Sequence, residues 1–196
     1  MQIGRLLALC ALGESSAAMV DTYVLPRLQY IMSRSLSDEP HESLRSRISE
    51  LVSRAPATKI LSLALIHEDV NAMNIILDDA NNIAALVDWE AASLLPLGTN
   101  GWCIRFLSTV NRKRVDYETE NTTPMAAGFW RGFVDSLPAE LRDRNDVLDA
   151  VVTAMQIGLV MYEFWPGNEG LSAAQMDQCL ARLDWLEETF RPMSGA

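Results

Sequence analysis

The sequence predicts a mainly α domain that carries one small β-hairpin. Three observations predict it. Apolar residues recur at helical spacing across residues 15–53 and again across 100–191. Between them, residues 60–90 read as short apolar runs separated by polar turns, the pattern of strands. The length of 196 residues, with 49% hydrophobic and 21% charged content, suits one domain spanning 1–196 with an ample core.

In chain order, Gln2 to Gly13 is apolar with a single basic residue, Arg5. It is too short to span a bilayer and lacks the charged start of a secretory signal, so it reads as a core helix. Ser15 or Ser16 caps a helix whose apolar positions include Met19, Val20, Tyr23 and Val24. Pro26 kinks or restarts it, and Leu28, Ile31 and Met32 continue the face. Ser35 to Pro40 is a polar break. Glu42 to Ser53 is amphipathic through Leu44, Ile48, Leu51 and Val52, with Arg45, Arg47 and Arg54 expected on a solvated face. Ile60 to Leu65 has an ambiguous register and could end a helix before the next strand begins.

The informative stretch follows. An apolar run delivers His67 and Asp69; a short polar loop leads to Asn74; a second run reaches Asp78-Asp79-Ala80-Asn81-Asn82; a third ends on Asp88. This reads as strand, loop, strand, turn, strand, and the Asn- and Asp-rich turn folds Asp88 back beside the loop holding Asp69 and Asn74. Asp78, Asp79, Asn81 and Asn82 are turn residues and receive no chemistry. Asp88 closes an apolar strand, where an unpaired carboxylate would be costly to bury, so a partner or a metal is expected. Two carboxylates and an amide oxygen suit phosphoryl transfer, which needs an orienter for the attacking hydroxyl and Mg²⁺ across the phosphates. Asp69 would be the base; Asn74 and Asp88 would hold metal. His67 is expected to pack and hold the loop, as a lone buried histidine most often does.

Downstream, Trp102, Phe106, Leu107 and Val110 fit one helix, and Asn111 to Asn121 reads as an exposed connection. Thr123-Pro124 marks a helix start before Met125, Phe129, Trp130 and Phe133. Pro138 opens another segment, and Val147 to Leu159 forms a long buried face. Trp165 to Asn168 reads as a turn. Ser172 to Gln175 has the capping-box pattern ahead of Met176, Cys179, Leu183, Leu186 and Phe190. Glu187 and Glu188 could wall a substrate site, but a solvated helix face is the simpler reading.

The formal net charge of −10 excludes a nucleic-acid partner. It could favour a cationic substrate; solubility is the simpler explanation. Cys10, Cys103 and Cys179 are widely spaced and odd in number, so neither a disulfide framework nor a zinc site follows. A reduced, cytoplasmic setting is expected, with no membrane partner. A different metal-dependent enzyme, such as a hydrolase, would need a further ligand, and His41 and His67 are the only histidines.

The block His67-x-Asp69-x-x-x-x-Asn74 followed by Val87-Asp88-Trp89 resembles the catalytic loop and metal segment of the aminoglycoside phosphotransferase and choline kinase-like family. Trp89 to Ala92, Leu95 to Asn100 and Ile157 to Phe164 resemble a fungal branch of that family, so the likeness runs with gaps across most of the chain. The resemblance implies the C-terminal lobe of a protein-kinase-like fold, with the catalytic loop and metal hairpin at 60–90 and a helical substrate region at 100–191. It implies ATP- and Mg²⁺-dependent transfer of a phosphoryl group to a hydroxyl of a small molecule. It places Asp69 and His67 in the catalytic loop and Asn74 and Asp88 as metal- and nucleotide-binding residues. Glu68 stands where the small-molecule kinases usually carry glycine, a position at which protein kinases tolerate a large residue.

A kinase-like enzyme also needs a glycine-rich phosphate loop and a strand lysine. Before His67 the chain holds only the isolated Gly4 and Gly13 and one lysine, Lys59, immediately ahead of the motif strand. The N-terminal β lobe is therefore expected to be absent and the isolated chain inactive, with that lobe coming from a longer transcript or another polypeptide. The alternative is a truncated, non-catalytic binding or scaffold module, for which an exposed apolar patch would be the mark.

Overall fold

The computed structural model describes residues 2–34, 42–112, 115–164 and 171–190. The expected turn at Trp165 to Asn168 and the break at Ser35 to Pro40 lie outside the described residues. Helix α1 (Gln2–Leu9) opens the chain and buries Ile3, Gly4, Leu7 and Ala8, as its apolar run requires. Strand β1 (Ala11–Ser15) follows, then α2 (Ala17–Met19), a π turn at Val20–Val24 and α3 (Leu25–Arg34). Ser15 Oγ accepts the Ala17 N–H at 3.2 Å, while the buried Ser16 hydroxyl donates to the Thr58 carbonyl at 3.0 Å. The π turn has a local cause. Pro26 has no N–H to continue an α ladder, and the wide turn just before it, with the Leu25 N–H on the Val20 carbonyl, absorbs the mismatch.

Next come α4 (Glu42–Arg54), a 3₁₀ segment at Ala55–Ile60 and β2 (Ser62–Ile66). The ambiguous run ahead of the motif thus resolves as 3₁₀ helix, then strand. After a second 3₁₀ turn at Ala72–Asn74 the chain forms β3 (Ile75–Leu77), β4 (Ile83–Leu86) and β5 (Ser93–Pro96). Then follow α5 (Cys103–Ser108), β6 (Thr109–Arg112), β7 (Val115–Glu118), α6 (Thr122–Val134), α7 (Ala139–Arg142), α8 (Asn145–Glu163) and α9 (Ala173–Phe190).

The fold is mostly helical, as expected, but its β content exceeds one hairpin. The described strands form three small antiparallel sheets, ordered β1-β2-β5, β3-β4 and β6-β7. Residues 109–112 and 115–118, read from sequence as helix end and open connection, pair as β6 and β7, with Thr109 opposite Glu118 and Arg112 opposite Val115. Val110, Val115 and Tyr117 supply the β-branched and aromatic side chains that suit a half-exposed ribbon. Helix α5 accordingly ends at Ser108, and Val110 leaves the expected helix face.

In the first sheet β2 is central, with Leu65 opposite Leu94 and Ala64 opposite Leu95. Alternation puts Ala64, Ile66 and Leu95 in the core and leaves Leu65 and Leu94 exposed on the other face. Helix α8 is the centre of the molecule: every residue from Ala150 to Met161 is buried. A helix apolar on all sides needs neighbours all round; α3, α4, α7, α9 and the first 3₁₀ segment supply them. The capping box forms as its spacing demands, with the Ser172 N–H on Gln175 Oε1 at 3.0 Å and the Gln175 N–H on Ser172 Oγ at 3.4 Å. Among the described residues no helix is long and apolar enough to cross a membrane.

Arg47 departs from its expected solvated face. Its side chain is only 13% exposed and is held by Glu50 at 2.7 Å and by Glu187 of α9. Glu187 is thereby a packing partner rather than a substrate wall. Arg54 likewise reaches across to Thr153 Oγ1 at 2.9 Å.

Candidate active site

Strand β2 ends by delivering His67 into the interior, where it is 2% exposed. The Asp69 backbone N–H donates to its Nδ1 at 3.3 Å, so that nitrogen carries no proton. The proton is therefore on Nε2, which donates to the Val87 carbonyl at 2.8 Å. The ring also meets Trp89 edge-on, with centroids 4.7 Å apart. His67 thus ties the Asp69 loop to the end of β4, with both ring nitrogens committed.

Asn71 caps the 3₁₀ turn by accepting the Met73 N–H at 2.8 Å. That turn aims Asn74, 8% exposed, back at Asp69. Asn74 Nδ2 donates to the Asp69 main-chain oxygen at 2.9 Å and to Asp69 Oδ2 at 3.2 Å. Both partners are acceptors, so the amide orientation is dictated by chemistry. Among the described residues nothing donates to the Asn74 side-chain oxygen, while the main-chain oxygen accepts the Val87 N–H at 3.0 Å.

The β3–β4 register, with Ile75 opposite Leu86, sets Val87 against Asn74 and makes Asp88 the next residue. Asp78 builds the turn between them. Its Oδ1 accepts the N–H groups of Ala80 at 2.9 Å and Asn82 at 2.8 Å, and Asn81 takes a left-handed φ of 61°. Gln2 of α1 braces this turn from outside through Asn82. Turn chemistry accounts for these residues, as expected.

Asp88 is exposed, which corrects the buried setting expected for it. Strand β4 ends at Leu86, and the β3–β4 ribbon lies on the surface with Ile76 and Leu77 about half exposed, so no apolar wall covers the carboxylate. Asp88 instead adopts a left-handed φ of 67° and makes no hydrogen bond or ion pair among the described residues. Such a backbone is unfavourable for an L residue, least so for Asp and Asn, and marks a position held by its surroundings.

Among the described residues no three His, Cys, Asp or Glu side chains gather into a cation cage. The hard donors here are the Asp88 carboxylate and the free oxygen of Asn74. That short oxygen set fits Mg²⁺, which keeps several waters and takes one or two carboxylates, and it fits a self-contained hydrolytic metal centre poorly.

Beside Asp69 lies a cavity of about 190 Å³. Its walls come from β2, β5, the Thr99 turn and α8, through Ile66, Leu95, Thr99, Gly158, Met161 and Trp102. The close approach of α8 to that turn requires Gly158: a Cβ there would sit 1.8 Å from the Thr99 carbonyl oxygen. The segments around Thr99 and Gly158, far apart in sequence, are therefore in contact and share the pocket wall. Tyr162 stacks against Trp102 at 4.2 Å, and Tyr23, Arg27 and Glu68 complete the rim. Burial raises the Tyr162 phenol, helped by the fields of Glu163 and Asp69. Tyr23 is raised by burial and by Glu68, against the pull of Arg27.

Helical periodicity had assigned Trp102 and Tyr23 to packing, and nothing in the local sequence singled out Arg27 or Tyr162 for a pocket. Behind the pocket, Arg182 holds Asp116 through Nε at 2.7 Å and Nη2 at 3.1 Å and also binds Glu163, pinning the β6–β7 hairpin to α9 and to the end of α8. Arg105 adds a bond to Glu118 at 2.8 Å. Burial alone would raise Asp116, yet hydrogen bonds from Arg182 and Asn111 and the nearby guanidinium charges hold its carboxyl below the usual range. Glu163 is raised by burial, in part against Arg182.

Among solved structures the chain is similar to ethanolamine kinase from Plasmodium vivax, with a TM-score of 0.50 and 13% identity, over 92% of this chain and 51% of that one. The chain thus spans about half the length of that kinase. No protein-family model matches it, and no curated protein does. At that identity the likeness speaks for architecture: the chain has a kinase-like fold, mostly helical with small antiparallel sheets.

Proposed function

We propose that this chain carries the catalytic loop and metal hairpin of a small-molecule phosphotransferase that uses ATP and Mg²⁺. One observation carries the reading: Asn74 spends its amide nitrogen on Asp69 and, among the described residues, its side-chain oxygen and the Asp88 carboxylate that follows across the hairpin are left without partners.

Asp69 accepts the proton of the acceptor hydroxyl as the acceptor oxygen forms its bond to phosphorus and the bond to ADP breaks. Asn74 fixes the Asp69 carboxylate through Oδ2, leaving Oδ1 for the hydroxyl. Asn74 and Asp88 hold Mg²⁺, which neutralises charge on the transferred group. His67 is a positioning residue: with Nδ1 accepting and Nε2 donating it fixes the loop to Val87 and takes no proton from substrate. The reading requires a phosphate loop and its lysine, for which these residues offer no glycine-rich candidate ahead of His67.

Exposed apolar side chains support a docking lobe there. Leu65 and Leu94 are cross-strand neighbours exposed on the outer sheet face, and Leu12, Met73, Ile76 and Leu77 are also exposed. The same surface supports the alternative, a non-catalytic module that binds a protein partner.

Thermal unfolding with and without Mg²⁺-ATP separates the two. Ligand at ~100 times its Kd stabilises the folded state by about 2.7 kcal/mol when it binds only that state. The expected result is a shift that needs Mg²⁺ and disappears in Asp88→Ala. No shift at millimolar nucleotide would favour the binding module.

A further inference from the structure

We infer that the cavity beside Asp69 takes an uncharged, largely apolar alcohol of about one ring, rather than a polycation. The inference rests on the phosphotransferase reading for what happens to the hydroxyl, and on the cavity alone for what binds.

The first argument is size. A closed cavity of about 150 Å³ lined by Leu, Ile and Phe accepts benzene. At about 190 Å³ this one has room for a ring and a short hydroxylated arm within its walls.

The second is the chemistry of the walls. Ile66, Leu95 and Met161 are apolar, and Trp102 and Tyr162 present aromatic surface. The Thr99 hydroxyl on the inner wall already donates to the Pro96 carbonyl at 2.6 Å. An apolar guest therefore gives up little hydration to enter, whereas the charged amines of a polycation would find carboxylates only at the rim, at Glu68 and Asp69.

The third is charge. The rim carries Glu68, Asp69 and Arg27. Glu68 and Arg27 act on Tyr23 with opposite sign, so their fields oppose each other at the rim. Arg27 is further anchored by donating to the Phe164 carbonyl and lies over the Tyr30 ring at 5.4 Å. Among the described residues Asp69 makes no ion pair, and Asp69 is the group that must meet the hydroxyl. The pocket then orients its guest by shape: ring against Trp102 and Tyr162, hydroxyl outward toward Asp69.

The test uses the chain without nucleotide, so it stands or falls apart from phosphoryl transfer. Benzyl alcohol, choline and kanamycin are titrated separately while the Trp102 indole N–H resonance is followed. Benzyl alcohol is expected to bind most tightly and to shift that resonance. Ala91→Trp, a substitution at an exposed residue on the cavity mouth, is expected to weaken it by ~10-fold or more. Glu68→Gln should leave it within about 2-fold, because the guest makes no charge contact. Tighter binding of choline or kanamycin, lost in Glu68→Gln, would overturn the inference, as would the absence of any saturable shift with benzyl alcohol. If the alcohol binds but Mg²⁺-ATP does not, the pocket stands and the phosphotransferase reading fails; phosphorylation of a polycation would give the reverse.

Discussion

Helix α8, which lines the pocket, and the β3–β4 ribbon, which is tied to the Asp69 loop, are held by different physics. Residues 150–161 of α8 are all buried, and their positions are fixed by volume. The ribbon has Ile76, Leu77, Val87 and Trp89 exposed to one third or more, and its geometry is fixed by directional bonds: His67 to Val87, Asn74 to Asp69, Asp78 to its own turn. A surface that must meet solvent and ligands cannot rely on close packing. It relies on hydrogen bonds whose donors and acceptors leave selected oxygens free. The comparison predicts that changes in α8 act on stability and that changes at the end of the ribbon act on binding with little effect on stability.

The largest effect is expected at Gly158. Alanine would place a methyl 1.8 Å from a backbone oxygen, with no flexible side chain to move aside. Gly158→Ala should lower unfolding free energy by about 3 kcal/mol, the upper part of the range for overpacked sites. Urea denaturation measures it, and a loss under ~1 kcal/mol would break the picture of a volume-determined contact.

A comparable or slightly smaller effect is expected where the two kinds of physics combine. The Asp116 side chain is 3% exposed and is bound by Arg182. Asp116→Ala leaves a guanidinium buried without that partner and should cost about 3 kcal/mol. The pH dependence has a definite sign. The Asp116 carboxyl is depressed in the folded chain, so the stability it adds is complete above its unfolded pKa and is lost as pH falls through the folded value. Wild type should therefore lose stability on acidification below about pH 4 more steeply than Asp116→Ala. Glu163 acts in the opposite sense: raised by burial, its contribution is full below its unfolded pKa and fades as pH rises through the folded one.

These two predictions also mark the limit of what sequence shows. The spacing from His67 to Asn74 and the turn at Asp78 are local, and local bonds realise both. The capping box at Ser172 is legible for the same reason. Asp116 and Arg182 are 66 residues apart, and nothing in either neighbourhood announces the other. The β6–β7 hairpin was missed because its strands are four residues each, with charges at Arg112, Asp116 and Glu118 masking the alternation. Asp88 was expected to need a partner because it closes an apolar run that could bury it; a two-stranded ribbon buries at most one face. Tyr23, Arg27, Trp102 and Tyr162 converge only through tertiary packing, and helical periodicity cannot separate a pocket wall from a core.

The smallest stability effect is expected at Asp88. Asp88→Gly relieves a left-handed backbone but adds freedom to the unfolded chain, two effects of about 1 kcal/mol that oppose each other. Stability should stay within about 0.5 kcal/mol of wild type, the ordinary range for a surface change. Calorimetry checks it, and a larger loss would mean that the Asp88 side chain supports the ribbon after all.

That near-neutrality has a consequence for descent. Aspartate and glycine codons differ by one base, and at this position the glycine backbone is the more comfortable of the two. Folding alone does not defend the carboxylate against a frequent mutation. A lineage with no use for it would be free to drift to glycine within few steps, so the residue at Asp88 is a tracer. Among natural variants of this chain, Asp88 should persist only where something outside the fold selects for a negative oxygen at the end of that ribbon.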